Sequence, residues 1–419
     1  MAPEMAGIRS VTLVDQLIGT PEFTQDPYPT YRRLREESPV AWSQRWESWV
    51  ITRFADVDAM LRDTRRFSNV ERFGDMLGRL PGEYTDELSS LREHVSLGMA
   101  NVDPPDHSRL RALASKAFHA RAIDALRPHV KAIVDELLDA VAADGEMDVV
   151  RDLAFPLPAI VISEMLGVPP EDRALFKGWV GDTQFHGSQD NAVQALLERA
   201  RRASAAVVSL TEWLRPQFEE RRRRPTDDLL SALVAAEDRG DVLSEAELVT
   251  TCIVLVRAGH ITTQGLIGNA VLGLLRHPRQ LSLLIDHPDL IGSAVEEFLR
   301  YDTPFLRDLR RVAVDTEFAG VTMRSGDLVS LMLGAANRDP AQCPEPERLD
   351  ITRPASQHVA FGVGVHFCLG APLARLEAEV ALSTLLHRWP RLSLGPTSPR
   401  YPSDNVLHSL ESLTVRLSA

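Results

Sequence analysis

The longest stretch of helical periodicity in the chain begins after Ser244 and runs without proline to Arg276, where His277-Pro278 ends it. Its first residues, Ser244-Glu245-Ala246-Glu247, have the Ser-x-x-Glu form in which serine and glutamate satisfy each other's free backbone amides at a helix start. A helix of about 30 residues spans on the order of 45 Å, enough to cross a whole domain. The pattern therefore predicts a central rod. Further helices are predicted over 122–143, 192–221, 291–301 and 371–388, and short strand-like runs at 49–52, 317–323, 328–333 and 413–417. The fold class that follows is mainly α with a minor β-sheet.

At 419 residues the chain exceeds the usual size of one core. No Gly/Ser-rich or Pro-rich linker divides it, 24 glycines and 27 prolines are ordinary frequencies, and no repeat of solenoid period is present. One large domain over 1–419 is expected, with 1–20 as a flexible N-terminal segment. A net charge of -13 argues against a general nucleic-acid surface. No stretch reaches the about 18 apolar residues of a membrane span, and the first residues lack the apolar centre of a signal peptide. Three cysteines, Cys252, Cys343 and Cys368, are too few and too scattered for a disulfide framework, so a reducing, cytoplasmic setting is expected.

The chemistry concentrates near the C-terminus. Phe361-Gly362-Val363-Gly364-Val365-His366-Phe367-Cys368-Leu369-Gly370 is a glycine-punctuated segment with one thiol near its end, directly ahead of the predicted 371–388 helix. Free amides and the positive end of the helix dipole are expected to lower the pKa of Cys368. Gly362, Gly364 and Gly370 give the backbone conformations and close approach that other residues deny it. A lone thiolate so placed is suited to hold haem iron with the opposite position free for oxygen, whereas a zinc site would need a second ligand pair beside His366 and Cys368.

The Phe-Gly-x-Gly-x-His-x-Cys-x-Gly pattern resembles the proximal loop of the cytochrome P450 family, in its bacterial soluble form. Three further segments resemble family landmarks in the right order. Asp103-Pro104-Pro105-Asp106-His107-Ser108-Arg109-Leu110-Arg111 resembles the opening of the C helix, Glu297-Phe298-Leu299-Arg300 the Glu-x-x-Arg motif, and Pro346-Glu347-Arg348-Leu349 the segment whose arginine joins that motif, with Leu349 where an aromatic is usual. The resemblance covers the chain from about Asp26-Pro27-Tyr28-Pro29 to its end. It implies the P450 fold with a long central helix over haem b, and Cys368 as the iron's thiolate ligand. His107, Arg111, Arg310 and His366 are implied as partners of the haem propionates, with Arg311 an alternative to Arg310, and Ala258, Gly259, Phe361, Gly362 and Gly370 as further haem contacts. His107 and Arg111 stand i and i+4, on one helix face. Glu297, Arg300 and Arg348 are implied as a buried ionic cluster that orders the core rather than as catalytic groups.

Ala258-Gly259-His260-Ile261-Thr262-Thr263, within the long helix, resembles the family's oxygen-binding segment. Thr262 offers a hydroxyl to dioxygen, but the family's usual acid just before it is Ile261 here. Four explanations stand open: an introduced substitution, proton supply by His260 or the substrate, peroxide in place of oxygen and electrons, or lost turnover. His260 is either a proton donor or a helix residue facing away from the iron. The implied activity is monooxygenation of a small, largely apolar substrate, with single electrons from a separate ferredoxin or flavodoxin and its reductase. Arg109 and Lys116 are expected to help attract that acidic partner behind Cys368. Two other readings are a hydrogen peroxide-dependent peroxygenase and a haem-containing binding or recruitment protein without turnover. By correspondence, Phe73, Met76, Leu77, Val254, Arg257, Ala258, Phe305 and Leu306 line the substrate pocket. Arg257, where the family is commonly apolar, either points inward to hold a carboxylate or phenolate or snorkels to the surface. Arg221-Arg222-Arg223-Arg224 is expected to be a solvated surface loop.

Overall fold

The computed structural model describes residues 12–72, 77–78, 80–115, 118, 120–183, 193–226, 228–237, 243–354, 357–402, 404 and 406–418. The central rod is present as the helix Glu245–Arg276, 32 residues long and closed at its start by the reciprocal Ser244–Glu247 capping box. Its side chains are buried over 248–256 and over most of 263–274. It packs against Pro156–Met165, Ser89–Leu97, Val193–Arg223, Ile291–Tyr301 and Ala371–Arg388. Each buried Leu, Ile or Val on such a rod is worth about 1.5–3 kcal/mol, which is why a helix apolar on nearly every side lies inside a bundle.

The predicted helices at 291–301 and 371–388 match Ile291–Tyr301 and Ala371–Arg388. The 122–143 helix is instead two, Ala120–Ala125 and Arg127–Asp139, because Pro128 in the first turn of the second has no amide to continue the first. Val193–Arg223 carries the arginine run into its last turn. There Arg222 and Arg223 pair with Glu219 and Glu220, three residues back. Arg221 is an interior ion pair with Asp228 at 3.1 Å, the two side chains 13% and 12% exposed. The run is thus the end of a helix rather than a loop, with Arg223 and Arg224 solvated as expected and Arg221 not.

A five-stranded sheet runs Val40–Ser43, Ser48–Ile51, Leu328–Met332, Arg307–Val312, Phe67–Ser68. Only Ser48–Ile51 and Leu328–Met332 are parallel, with Trp49 opposite Val329. Arg310 also stands opposite Val329, across the antiparallel pair. Alternation along that strand buries Arg310 to 1% exposure and turns Arg311 outward onto the carbonyls of Glu71 and Gly326. The predicted 317–323 strand is a hairpin, Thr316–Phe318 with Val321–Met323, turned at Ala319 (φ 48°) and Gly320 (φ 81°). Two successive positive φ values make the tight turn whose twist suits a two-residue hairpin.

Residues 12–20 pack onto the body of the fold. Thr12 caps the helix Leu13–Leu17 and Thr20 caps Pro21–Gln25, and Val14 and Ile18 are fully buried with Phe23, Tyr31, Leu34, Val50, Leu306 and Met332. Residues 1–11 lie outside the described residues.

Candidate active site

The Cys368 segment is fixed from both ends. Cys368 N–H donates to Phe361 O at 2.8 Å, Gly362 N–H to Val359 O at 2.9 Å, and Val359 N–H to the Asn337 side chain at 2.7 Å. Gly362 (φ 65°) and Gly364 (φ 74°) hold left-handed conformations. A side-chain carbon at Gly364 would also lie 3.2 Å from Leu61 O and 3.3 Å from Arg62 Cα, so this turn docks on the helix Phe54–Arg62 only as glycine. Arg375 lies over the Phe361 ring at 4.6 Å and pairs with Glu296, which also meets His358 at 3.2 Å. These contacts set Cys368 immediately before the first turn of Ala371–Arg388.

Cys252 and Cys343 are buried, whereas Cys368 is partly accessible. Burial pushes the Cys368 thiol above its ordinary pKa, although the amides of Gly370 and Ala371 and the charges of Arg111 and Arg375 pull it down. The expected net lowering is thus reversed in the protein alone, because desolvation outweighs the helix terminus. Glu296 behaves oppositely. Burial alone would raise its pKa, but hydrogen bonds from Arg375 and His358 hold it at about 2, against an ordinary 4.5. A lowered carboxylate pKa contributes stability that is present above the unfolded value and lost as pH falls toward the folded one. Glu296→Gln should therefore be less stable than the parent at neutral pH, with the gap closing between pH 4.5 and about 2. Denaturant unfolding across that interval measures it.

Beside the loop lies a group of cationic and imidazole donors. His107, on Asp106–Ser115, is 2% exposed, and its ring centroid is 4.0 Å from that of His366. His107 Nδ1, His366 Nε2 and Arg310 Nε are buried without hydrogen-bond partners, the nearest Asp103 oxygen lying 3.9 Å from His366. Burial, then His366 and Arg111, lower His107 to about 4, so it is a neutral donor. Arg111 faces the same region, its charge felt at Cys368, and no hydrogen bond or ion pair of its side chain is found among the described residues. The four residues predicted for this role thus converge. Sequence reading missed Arg72 and Asp308. Arg72 pairs with Asp308 at 2.6 Å, and Asp308 with Arg310 at 2.7 Å. Asp308 was detectable as the i−2 neighbour of Arg310 on a strand; nothing local marks Arg72.

Mid-rod, Ala258 is exposed and Gly259, Ile261 and Thr262 keep partial exposure, although the helix is buried on either side. Thr262 Oγ1 donates to Ala258 O at 2.8 Å. His260 is turned away: 7% exposed, its Nε2 bonds Phe155 O at 3.1 Å and its ring packs on Phe155 at 4.4 Å. These contacts match the expectation of a helix residue whose ring is held on Phe155.

Glu297 and Arg300 form a bidentate pair, each side chain 1% exposed. The third charged side chain is Arg353, 3.5 Å from Glu297, and not Arg348. Arg348 is 57% exposed on Glu345 and Asp350 and offers Arg300 only its backbone carbonyl. Arg353 lies four residues past the matched segment, where no spacing marked it. Of the expected pocket residues, Phe73 and Met76 lie outside the described residues. Leu77 and Val254 are buried and Phe305 partly so. Leu306 is misplaced: alternation after Phe305 sends it into the core with Val14, Ile18 and Tyr31, against Gly334.

One partly accessible thiol, unpartnered buried donors suited to two carboxylates, and a small-residue stretch on a rod are what haem b requires of a protein. A family model for cytochrome P450 matches residues 285–409. The chain is 40% identical over 402 residues to cytochrome P450 107B1 of Saccharopolyspora erythraea, covering 95% of this chain and 96% of that protein. It is 43% identical over 377 residues to the vitamin D(3) 25-hydroxylase of Pseudonocardia autotrophica, covering 89% of each. The crystal structure of CYP109E1 from Bacillus megaterium in complex with testosterone superposes with a TM-score of 0.86 at 33% identity, over 96% of this chain and 100% of that one.

Proposed function

Since the chain belongs to the cytochrome P450 family, whose members are haem-thiolate monooxygenases with haem b as cofactor, we propose that Cys368 is the iron's ligand and that one atom of O2 enters a C–H bond of a small, largely apolar substrate. The observation that carries this reading is the partly accessible Cys368 thiol, facing the Gly370 and Ala371 amides beside His107 Nδ1, His366 Nε2 and Arg310 Nε, which are buried without hydrogen-bond partners. Bound haem b supplies the iron that takes single electrons and activates oxygen. The chain does the rest. His107, Arg111, Arg310 and His366 donate to the two propionates, so that charges taken from water keep partners. Ala258 and Gly259 leave room above the ring. Leu77, Val254 and Phe305 bury hydrocarbon and hold one C–H bond in reach.

Proton delivery is the weak step. Releasing the second oxygen atom as water consumes two protons. Thr262 spends its own proton on Ala258 O, a bond whose loss costs about 0.5–1.5 kcal/mol, and Ile261 has no proton with which to reload it. Reductant use is therefore expected to exceed product formation. Ile261→Glu should raise product formed per reductant consumed, and the productive rate by up to roughly 10²-fold, the lower end of what a positioned acid contributes. Measuring NADH consumed against product decides the point, and unchanged coupling would show that the relay is not limiting.

Electrons are expected from a ferredoxin or flavodoxin and its reductase, in the cytoplasm. Val365 and Phe367, 42% and 37% exposed beside the ligand, offer such a partner an apolar contact. Arg109 is less available than expected because it pairs with Glu247, and Lys116 lies outside the described residues. Ile261 also favours a second reading, peroxygenation, because hydrogen peroxide brings its own oxygen, electrons and protons. Product from peroxide without reductase identifies it.

A further inference from the structure

Arg257 follows directly on the buried run of the rod and precedes the exposed Ala258. Its side chain is partly buried, and among the described residues no acidic group lies within ion-pair distance of it. The neighbouring charge is Arg72, which is already committed to Asp308 at 2.6 Å. The other neighbour is His94, on Ser89–Leu97, 4% exposed and with a buried Nδ1 that has no hydrogen-bond partner. Asp308 also serves Arg310, so that interior acid is shared between two other arginines. A guanidinium partly withdrawn from water without a counter-anion is incompletely compensated, and such a position suits an anion brought by the ligand.

We propose that Arg257, with His94 beside it, is the substrate-recognition site for a carboxylate, and that the preferred substrates are apolar molecules carrying one. This rests on the monooxygenase reading above and names its substrate class. Planar, two-donor recognition by guanidinium suits a carboxylate, and His94 contributes an N–H donor rather than a second charge. Burial and the Arg257 charge hold His94 at about 3, hence neutral, while burial and Arg72 lower Arg257 to about 10, hence still cationic at neutral pH. Val254, one turn before Arg257, and Leu77 supply the apolar remainder. One cation and one neutral donor fit a monoanion and not a phosphate dianion, which would leave charge unpaired.

The test uses the haem-loaded protein and two matched pairs of probes, dodecanoic acid with its methyl ester and naphthoic acid with its methyl ester, titrated by Soret shift. The acid should bind more tightly than the ester for both skeletons. Arg257→Leu should weaken the acids by at least about tenfold and leave the esters unchanged, while Arg257→Lys, which keeps the charge, should recover part of the acid preference. Equal binding of acid and ester by the parent, or an equal loss for both in Arg257→Leu, overturns the proposal. So does faster haem loss in Arg257→Leu with ligand selectivity intact, because the arginine would then serve a propionate. A parent whose reduced carbon monoxide complex lacks the thiolate band fails at the underlying monooxygenase reading instead.

Discussion

Replacing Cys368 by serine is expected to abolish oxygen insertion while leaving the fold in place. The segment around the sulfur is held by contacts the substitution does not touch: the Phe361 carbonyl, the Asn337 amide, the left-handed glycines and the Arg375–Glu296–His358 brace. A serine hydroxyl is nearly the same size but is a poor donor to iron, and it cannot provide the electron density that favours O–O cleavage. Circular dichroism and thermal unfolding of the haem-free protein should therefore be nearly unchanged, with product formation reduced to background under both oxygen-plus-reductase and peroxide conditions. A variant that still hydroxylates substrate would place the ligand elsewhere.

Removing Glu297 is expected to have the largest effect on stability. Glu297 accepts two hydrogen bonds from Arg300 at 2.7 and 2.9 Å and one from the Asp350 amide at 2.9 Å, and Arg353 stands 3.5 Å away. Arg300 in turn binds the carbonyls of Asn337, Pro346 and Arg348, and Asn337 holds the Val359 amide at the entrance to the Cys368 segment. Glu297→Ala strands a fully buried arginine, for which a cost of about 3–5 kcal/mol is expected. Haem retention should fall with stability, since the network ends at the ligand loop. Arg353→Ala should cost less, because Arg353 keeps some exposure, and Arg348→Ala only about 0–1 kcal/mol, as for a surface pair. Denaturant midpoints of the three variants give the order. If Arg348→Ala matched Glu297→Ala, the solvent-exposed position of Arg348 would be contradicted.

That contrast shows what the sequence could and could not convey. The rod, its capping box and the two helices flanking the ligand loop were legible because their periodicity, caps and stop signals agree, and because burial reinforces them. Cys368, His107, Arg111, Arg310 and His366 were legible as a set from ordered motifs, and the choice of Arg310 over Arg311 needed only the strand register. Contacts between distant segments were not legible. Arg353 took the role expected of Arg348 because the chain after Leu349 folds back onto the helix Ile291–Tyr301, which no local spacing records. Leu306 stands on the core side just ahead of the strand Arg307–Val312, which the hydrophobic pattern did not predict. The Cys368 pKa was misjudged for a different reason: a helix terminus was weighed without the burial that opposes it.

The sulfur-to-iron bond is tested most directly by the absorption spectrum of the reduced carbon monoxide complex of the haem-loaded protein beside that of Cys368→His. The parent should show the strongly red-shifted Soret band of a thiolate-ligated haem, and the histidine variant the shorter-wavelength band of imidazole ligation. A parent spectrum without the thiolate band, or one that persists unchanged in Cys368→His, would contradict the assignment of Cys368.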